Sequence, residues 1–571
     1  MRAELRLLAL AGASLLPVSA QAAPVADLVI EHGRVYPADG SGRFVEAVAV
    51  KDGLILATGS DAAIERLRCA ATKRIDARGG AVVPGLIDTH THLMEGAGTL
   101  EQLDVTGAGS GAELADKLRT YAAAHPDMKI IEAFGYFAPT ITRFDIDGVG
   151  DGRPVIVRNG DGHSTLCNGA ALALAGVTDQ TRQDDLTLPR DAQGRHTGLL
   201  MEGAQALIEA ALPRPTDAER RHLLDVATQA ALSAGVTSVV VVGGQDDLRL
   251  FGEARADRTL RLRIAFAQWL TRDDATAAFP HDFAFDEQDA DKLDAVRKGF
   301  VDDPMLTFDM VKIMSDGVIE SHTAAMLAPY ADQPGNVGQE NYSVADLDRI
   351  VAMMDRRGWQ IMTHALGDRA VRMALDAYQS AGAANPAPAR GRRHKIEHIE
   401  AIDPADIPRF GALHVTASMQ PDHAAGMADP ERRERRWAYL GYLRSAWGWP
   451  WKSIEASGGR VAFGSDWPVA PLNIGPGAHV ALTRLVNPPV PDQRLSMTQV
   501  IDGYTRDAAY SIFRDKDLGS LESGKRADIV LFDKDIFAAI PGKDAELPVR
   551  ATLMNGAILY CAEQGTGCAG R

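Results

Sequence analysis

Residues 81–92, AVVPGLIDTHTH, decide the fold: an apolar run ends in two histidines, His90 and His92. Because strand side chains alternate between faces, residues two apart point the same way. The pair therefore projects two imidazoles from the end of one strand, and neutral imidazole nitrogen is a favoured ligand of zinc and its neighbours. The spacing also occurs by accident, so a metal site depends on what the rest of the chain supplies.

The composition is that of a globular protein with a large core. The chain has 571 residues, of which 46% are hydrophobic and 24% charged, within the range of folded domains. Its formal net charge is −16, and no basic block interrupts the acidic balance. We therefore expect a small-molecule substrate and no nucleic-acid or anionic-membrane partner. Homo-oligomerisation is left open.

The N-terminus has the order of a secretory signal. Arg2 and Arg6 precede or flank an apolar run over residues 7–18, and Ala20-Gln21-Ala22 provides a small-residue cleavage site. The apolar run is too short to span a bilayer. We predict that residues 1–22 are a signal peptide and that the mature protein is periplasmic or secreted, without a membrane anchor. A buried N-terminal helix is the alternative.

Four cysteines are too few for a disulfide scaffold. Export makes the local pair Cys561 and Cys568 a candidate for a C-terminal disulfide. Cys69 and Cys167 have no obvious base as an immediate neighbour, so we expect both to be buried and inert.

Short β-rich runs separated by glycine-containing turns occur at both ends of the chain. They predict a small sheet domain formed by residues 23–80 together with 515–571. Between them, residues 81–514 alternate apolar runs with helical patterns, the rhythm of parallel βα units. Eight candidate strands would close a barrel, at residues 83–90, 236–242, 262–269, 308–314, 359–364, 395–398, 415–420 and 461–466. The long interval after the first strand predicts an inserted subdomain at about 100–225.

Metal-capable side chains recur at the ends of five candidate strands. Barrel active sites lie at the carboxyl ends of the strands. A single barrel histidine is commonly a hydrogen-bonded packing residue, but the joint pattern is specific. The residues, in chain order, are His90, His92, Lys312, His364, His398 and Asp466.

These motifs resemble the amidohydrolase superfamily, in the family 3 (YtcJ-like) branch related to N-substituted formamide deformylase. The resemblance spans essentially the whole mature chain and rests on VVPGLIDTHTHL, GHSTLCNGAAL, HTGLLMEGA, VKIMSDGVIESHTAAM, THALGDRAV, KIEHIE, ASMQPDH, AFGSDWPV and LGSLESGKRADIVLFD. It implies a (β/α)₈ barrel with a small β-sandwich and a metal site of one or two ions.

The resemblance also implies the ligand set. One divalent ion, expected to be zinc, would be held by His90, His92 and Asp466, and a second by His364 and His398. Zinc suits imidazole and carboxylate ligands.

Lys312 looks like the bridging ligand of the family, carboxylated by CO₂ on its amine. Burial in a barrel lowers a lysine pKa and provides the neutral amine that forms a carbamate. If Lys312 is unmodified, it is a structural ion-pair residue and the site holds a single ion.

The expected catalytic groups are Asp466 and His163. Asp466 would take the proton of the attacking water and deliver it to the leaving nitrogen; the alternative is a loop cap in SDWP. His163, in the inserted segment, resembles the family residue that faces the substrate and could donate to the developing oxyanion, or it could be a surface residue. His423 is a weaker candidate of the same kind for substrate binding.

The sequence thus predicts an exported metal-dependent hydrolase of a non-peptide C–N bond in an amide, formamide or N-acyl group. Hydrolysis of an ester, lactone or carbamate on the same site is the nearest alternative. A catalytically silent ligand-binding barrel and a purely structural or interaction protein are the others, and the complete ligand set argues against both.

Overall fold

The computed structural model describes residues 25–135, 137–138, 140–160, 162–181, 188–270, 285–301, 303–542, 545–562 and 568. The predicted signal peptide, residues 1–22, lies outside these ranges. Over the described part of the chain, no helix combines the length and the apolar character needed to cross a membrane.

The described chain begins with six short strands and one helix. They are β1 (Leu28–Glu31), β2 (Arg34–Val35), β3 (Ala47–Lys51), β4 (Leu54–Gly59), α1 (Asp61–Glu65), β5 (Lys73–Asp76) and β6 (Ala81–Pro84). Four of these strands form a sheet in the order β4-β3-β1-β5. The other two, β2 and β6, belong to a second sheet that the C-terminal strands complete.

The run that opened the sequence analysis is divided between two sheets. Residues 81–84 are β6 of the small domain, whereas β7 (Leu86–Thr91) is the first barrel strand. The prediction of one strand over 83–90 is therefore wrong. The break falls at Gly85, where an added Cβ would lie 2.3 Å from Thr237 Oγ1, so the chain passes too close to the neighbouring barrel strand for any larger residue.

An inserted subdomain follows the first barrel strand, as predicted. Its sheet has the order β12-β11-β10-β9-β8, in which β8, β9 and β10 are parallel to one another and β11 is antiparallel to both β10 and β12. Its elements are α2 (Leu93–Thr99), β8 (Leu103–Asp104), α3 (Gly111–Ala124), β9 (Ile131–Phe134), α4 (Arg143–Ile146), β10 (Val155–Arg158), β11 (Ser164–Cys167), α5 (Gly169–Leu174), β12 (Leu199–Met201), a 3₁₀ turn (Glu202–Gln205) and α6 (Ala206–Glu209).

Seven further parallel strands alternate with helices and confirm the predicted barrel. The elements are α7 (Asp217–Ser233), β13 (Val236–Gly243), α8 (Gln245–Ala256), β14 (Arg263–Trp269), α9 (Glu287–Arg297), β15 (Leu306–Met314), α10 (Val344–Arg356), β16 (Gln360–Ala365), α11 (Asp368–Ala384), β17 (Lys395–His398), α12 (Ile407–Ala412), β18 (Thr416–Met419), α13 (Pro430–Leu440), α14 (Tyr442–Ala446), α15 (Trp451–Ala456) and β19 (Arg460–Phe463). Further 3₁₀ turns are Lys298–Phe300, Pro404–Asp406 and His423–Met427.

The barrel sheet runs β7-β13-β14-β15-β16-β17-β18-β19. Its first and last strands, β7 and β19, meet along a junction that we call the seam. Three helices then lead to the small domain: α16 (Gly475–Thr483), α17 (Met497–Tyr504) and α18 (Arg506–Ser511).

The C-terminal strands β20 (Ile529–Phe532), β21 (Val549–Met554) and β22 (Ala557–Cys561) complete the second sheet, β2-β6-β20-β21-β22. Both termini thus build the small sandwich, as predicted. Its core includes Leu28, Ile30, Val48, Val50, Ile529, Leu531 and Leu553. A buried ion pair joins it to the barrel: Arg263 Nε of β14 lies 2.7 Å from Asp528 Oδ2.

The cysteines give one confirmation and one correction. Cys561 and Cys568 form a disulfide, and Cys167 is buried. The expectation that Cys69 is buried is wrong, because this residue is exposed in the loop between α1 and β5.

Candidate functional site

The carboxyl ends of β7 and β19 bring three candidate ligands together. The Nε2 atoms of His90 and His92 each lie 3.2 Å from Asp466 Oδ1. His90 is almost fully buried, whereas the His92 side chain is 23% exposed. The HTH spacing on one strand thus aims both rings at the same carboxylate, as period-two alternation predicts.

Backbone hydrogen bonds across the seam fix these residues. The Asp466 amide donates to the His90 carbonyl, and the His92 amide donates to the Trp467 carbonyl, both at 2.8 Å. The backbone of each candidate ligand is therefore hydrogen-bonded across the seam, and this fixes the position of its side chain.

Asp88 also joins the two sides of the seam. Its Oδ1 accepts hydrogen bonds from the Ser465 amide at 2.9 Å and from the His90 amide at 3.1 Å. The strands approach closely here, since a Cβ at Gly464 would lie 2.7 Å from the His90 nitrogen. The buried carboxylate thus occupies a place where the strands would otherwise leave two amides without acceptors.

Two candidate ligands have left-handed backbone conformations: φ is 74° at His398 and 61° at Asp466. Such values are uncommon for residues other than glycine and cluster at functional sites. At the end of β17 the conformation breaks the alternation of side chains, so that Glu397 and His398, although adjacent, both reach the barrel interior. It is this break that brings His398 to the other ligands.

His90, His398 and Asp466 form a compact group that could hold a metal ion, with one ligand atom from each lying within 4.8 Å of the others. Asp466 Oδ1 is buried and shares this space with the two imidazole nitrogens 3.2 Å away. Lys312 Nζ lies 3.3 Å from His90 Nε2. Lone pairs of imidazole and carboxylate converging in a buried space fit a cation between them.

Burial determines the ionisation of these groups. It lowers the pKa of His90, His364 and His398 well below the ordinary value, so the rings are neutral. It also lowers the pKa of Lys312 to about 8. Burial alone would raise the pKa of Asp466, but the surrounding histidines outweigh it and hold that pKa well below its usual range. Neutral imidazoles beside an ionised carboxylate are the states that bind a divalent ion.

His364 lies beside the compact group rather than within it. Its ring centre is 4.6 Å from that of His398. Its Nε2 faces the Gly317 carbonyl at 3.2 Å and Asp316 Oδ1 at 3.6 Å. Assignment of His364 and His398 to a second ion therefore stays a prediction.

The two predicted substrate-facing histidines both border the cluster. His163, half-buried in the turn between β10 and β11, lies 6.1 Å from the His364 ring between ring centres. His423 lies parallel to the His398 ring at 6.0 Å, and its Nε2 is 4.0 Å from Asp466 Oδ2. All eight residues singled out from the sequence thus converge at one end of the barrel.

Comparison with known proteins agrees with this architecture. A model of the amidohydrolase family (Amidohydro_3) matches residues 73–560. The chain belongs to the amidohydrolase family. The resemblance drawn from the motifs is thereby confirmed.

Several relatives match this amidohydrolase over nearly its full length. Protein LONG AFTER FAR-RED 3 of Arabidopsis thaliana is 30% identical over 94% of this chain and 92% of its own. The putative amidohydrolase YtcJ of Bacillus subtilis is 28% identical over 92% and 98%. The N-substituted formamide deformylase of Arthrobacter pascens is 24% identical over 94% and 98%.

A solved structure shows the same fold. An uncharacterized metal-dependent hydrolase from Pyrococcus furiosus superposes with a TM-score of 0.69 and 24% identity, covering 89% of this chain and 99% of that one.

The sequence analysis did not identify three residues that contact the candidate ligands of this amidohydrolase. Glu397 Oε2 lies 2.9 Å from His90 Nδ1, and Gln420 Oε1 lies 2.9 Å from His398 Nδ1. Trp269, at the end of β14, stacks on His92 with ring centres 6.0 Å apart. A signal for Glu397 was present: in KIEHIE, Lys395 and Glu397 place two charges on one face of a barrel strand.

The neutral histidines predict a pH dependence of stability. Below pH 6.5, the ordinary histidine pKa, the unfolded chain takes up protons that buried His90, His364 and His398 do not. These histidines should therefore lower the free energy of unfolding of chelator-treated protein as pH falls from 7 to 5, by up to about 1.4 kcal/mol per pH unit and histidine. The buried carboxyl groups of Asp88 and Asp316, whose pKa burial raises to about 7, contribute with the opposite sign. Urea denaturation measures this slope.

Two variants test the source of the slope. His398→Asn should reduce it, whereas His414→Asn, at an exposed histidine in the turn after α12, should leave it unchanged. An unaltered slope in His398→Asn would contradict the assignment.

Proposed function

We propose that this amidohydrolase is an exported, metal-dependent enzyme that hydrolyses a non-peptide C–N bond in an amide, formamide or N-acyl compound. The observation that carries the proposal is the compact group of His90, His398 and Asp466, whose buried carboxylate faces the Nε2 atoms of His90 and His92 at 3.2 Å. The relatives named as an amidohydrolase and a formamide deformylase support this class of bond. Export rests on residues 1–22 alone.

The residues that would hold metal are those at the strand ends. His90, His92 and Asp466 supply one site, and His364 and His398 can supply a second. The nitrogen and oxygen donors favour zinc. When bound here, a divalent ion would polarise a substrate carbonyl and lower the pKa of water toward neutrality.

Lys312 is the proposed bridge between the two sites. Its amine is buried and lies 3.3 Å from His90 Nε2. With a pKa of about 8, about a tenth of this amine is neutral at pH 7 and about half at pH 8. The neutral amine can react with CO₂ to give an anionic carbamate. If the amine stays unmodified, we expect a single ion.

Asp466 is the proposed proton carrier. Water adds its oxygen to the carbonyl carbon, and its proton passes to the carboxylate of Asp466. The C–N bond then breaks, and Asp466 returns the proton to the leaving nitrogen, giving an acid and an amine. His163, which borders the cluster from the insertion, would donate a hydrogen bond to the carbonyl oxygen as negative charge develops there, and His423 would contact the substrate.

The first test combines metal content with a panel of substrates. Purified protein should carry about one to two zinc ions per chain, and chelation should abolish turnover of N-formyl or N-acyl amines while the fold persists. Metal analysis, circular dichroism and amine release measure these results. Turnover of esters, lactones or carbamates alone would support the alternative reaction, and bound metal without turnover would support a silent barrel.

The second test concerns the bridge. Protein equilibrated with ¹³C-labelled bicarbonate should show a carbamate resonance that disappears in Lys312→Ala. That variant should lose or weaken one ion, and a short-chain carboxylate should partly restore its activity by replacing the anionic ligand. Full activity without any carbamate signal would contradict the bridging role.

The third test separates proton transfer from metal holding by Asp466→Asn. The change keeps the size and one carbonyl oxygen but removes the charge and the basic site. Turnover should fall by about 10² to 10⁴, whereas metal content should fall only modestly because the other ligands remain. His163→Gln is the companion variant. If Asp466→Asn retains near-normal kcat with full metal, another residue carries the proton.

A further inference from the structure

Beneath the ligand cluster, two charged side chains of β17 cross the barrel interior to the first strand. Lys395 and Glu397 are both fully buried. Glu397 Oε2 lies 2.9 Å from His90 Nδ1, and Glu397 Oε1 lies 3.4 Å from Lys395 Nζ. Lys395 Nζ in turn donates to the Thr89 carbonyl at 2.8 Å. The sixth barrel strand thus contacts both the side chain and the backbone of the HTH segment.

The geometry of the His90 ring connects this pair to the site. Nε2 faces the cluster, 3.2 Å from Asp466 Oδ1 and 3.3 Å from Lys312 Nζ. A neutral imidazole that binds an ion through Nε2 keeps its proton on Nδ1. Because His90 is buried, that N–H requires an acceptor inside the protein. Glu397 Oε2 is at hydrogen-bonding distance from it.

We propose that Glu397 is a positioning residue of the metal site, whose carboxylate accepts the Nδ1 proton of His90 and thereby commits Nε2 to the ion. The inference rests on the proposed metal site and adds the group that orients one of its ligands. A carboxylate behind a ligating histidine fixes the ring and raises its basicity.

Lys395 holds Glu397 rather than the ligand. A carboxylate taken out of water is costly unless a counter-charge and hydrogen bonds compensate it. Lys395 provides the counter-charge, and its bond to the Thr89 carbonyl fixes the ammonium group relative to β7. Through Lys395 and Glu397, the position of β17 therefore determines the orientation of the His90 ring.

The second histidine of the compact group is supported differently. His398 Nδ1 lies 2.9 Å from Gln420 Oε1, a neutral amide oxygen. The two histidines thus contact acceptors of different charge: His90 contacts the carboxylate of Glu397, and His398 contacts the neutral amide of Gln420. We expect loss of charge at Glu397 to weaken metal binding through His90, while the hydrogen bond between Gln420 and His398 is unaffected.

The test measures zinc affinity in the full chain carrying Glu397→Gln, which keeps the shape and an acceptor oxygen but removes the charge. Competition with a chromophoric zinc chelator, well below the melting temperature, should give an affinity about 10- to 100-fold weaker than that of the unaltered protein. An affinity within twofold of the unaltered protein would overturn the inference.

A double variant separates this role from charge balance. Lys395→Met with Glu397→Gln removes both buried charges, so it also carries the test if the single variant does not fold. If Glu397 serves only to neutralise Lys395, the double variant should bind zinc as tightly as the unaltered protein, which would overturn the inference. An affinity still 10- to 100-fold weaker supports it.

The chain offers a matched control at the opposite end of the same strand. His394 Nε2 lies 3.1 Å from Asp355 Oδ1, in another buried carboxylate–histidine pair. Asp355→Asn should lower the melting temperature yet leave zinc affinity within twofold. Comparable weakening in this variant would mean that the assay reports general stability, and the inference would fail.

The outcome for the unaltered protein separates the two proposals. If it takes up no zinc or other divalent ion, the proposed metal site and function fail together with the inference. If it binds zinc and Glu397→Gln binds equally well, only the inference fails.

Discussion

The seam between β7 and β19 is the constraint on which the site depends. The barrel closes there through the Asp466 amide on the His90 carbonyl and the His92 amide on the Trp467 carbonyl. Three of these residues are candidate ligands: His90 and His92 on the β7 side of the seam and Asp466 on the β19 side. The hydrogen bonds that close the barrel therefore also bring the ligands together. A displacement of either strand would separate His90 and His92 from the Asp466 carboxylate.

The interior beneath the seam is unusually charged for a core. Asp88, Lys312, Lys395 and Glu397 are all buried, and such groups cost free energy unless they are paired. The stability of the barrel must come from elsewhere. Its main apolar cluster lies between the strands and the surrounding helices, where Phe266, Phe308 and Trp359, among others, are buried. This large outer cluster and a smaller one that includes Val240, Met310 and Met362 thus stabilise the barrel, while the buried charged residues orient the site.

Much of this arrangement could be predicted from sequence because its signals are local. Apolar runs located all eight barrel strands, and the HTH spacing placed two ligands on one face. The split of residues 81–92 was missed, since apolar residues stand on both sides of Pro84-Gly85. The close approach of Thr237 to Gly85 accompanies the change of sheet.

The interior network escaped prediction for a different reason. Alternation along β17 places Lys395 and Glu397 on one face and His398 on the other, so a reader of KIEHIE must choose between the charges and the histidine. The left-handed backbone at His398 lets both Glu397 and His398 reach the interior. The motif contains no glycine or asparagine that would have indicated this conformation. The contact between Glu397 and His90 joins residues 307 positions apart. Pairing over that distance follows from the closed barrel alone, so the contact of Glu397 with His90 becomes visible only once the strands are in place.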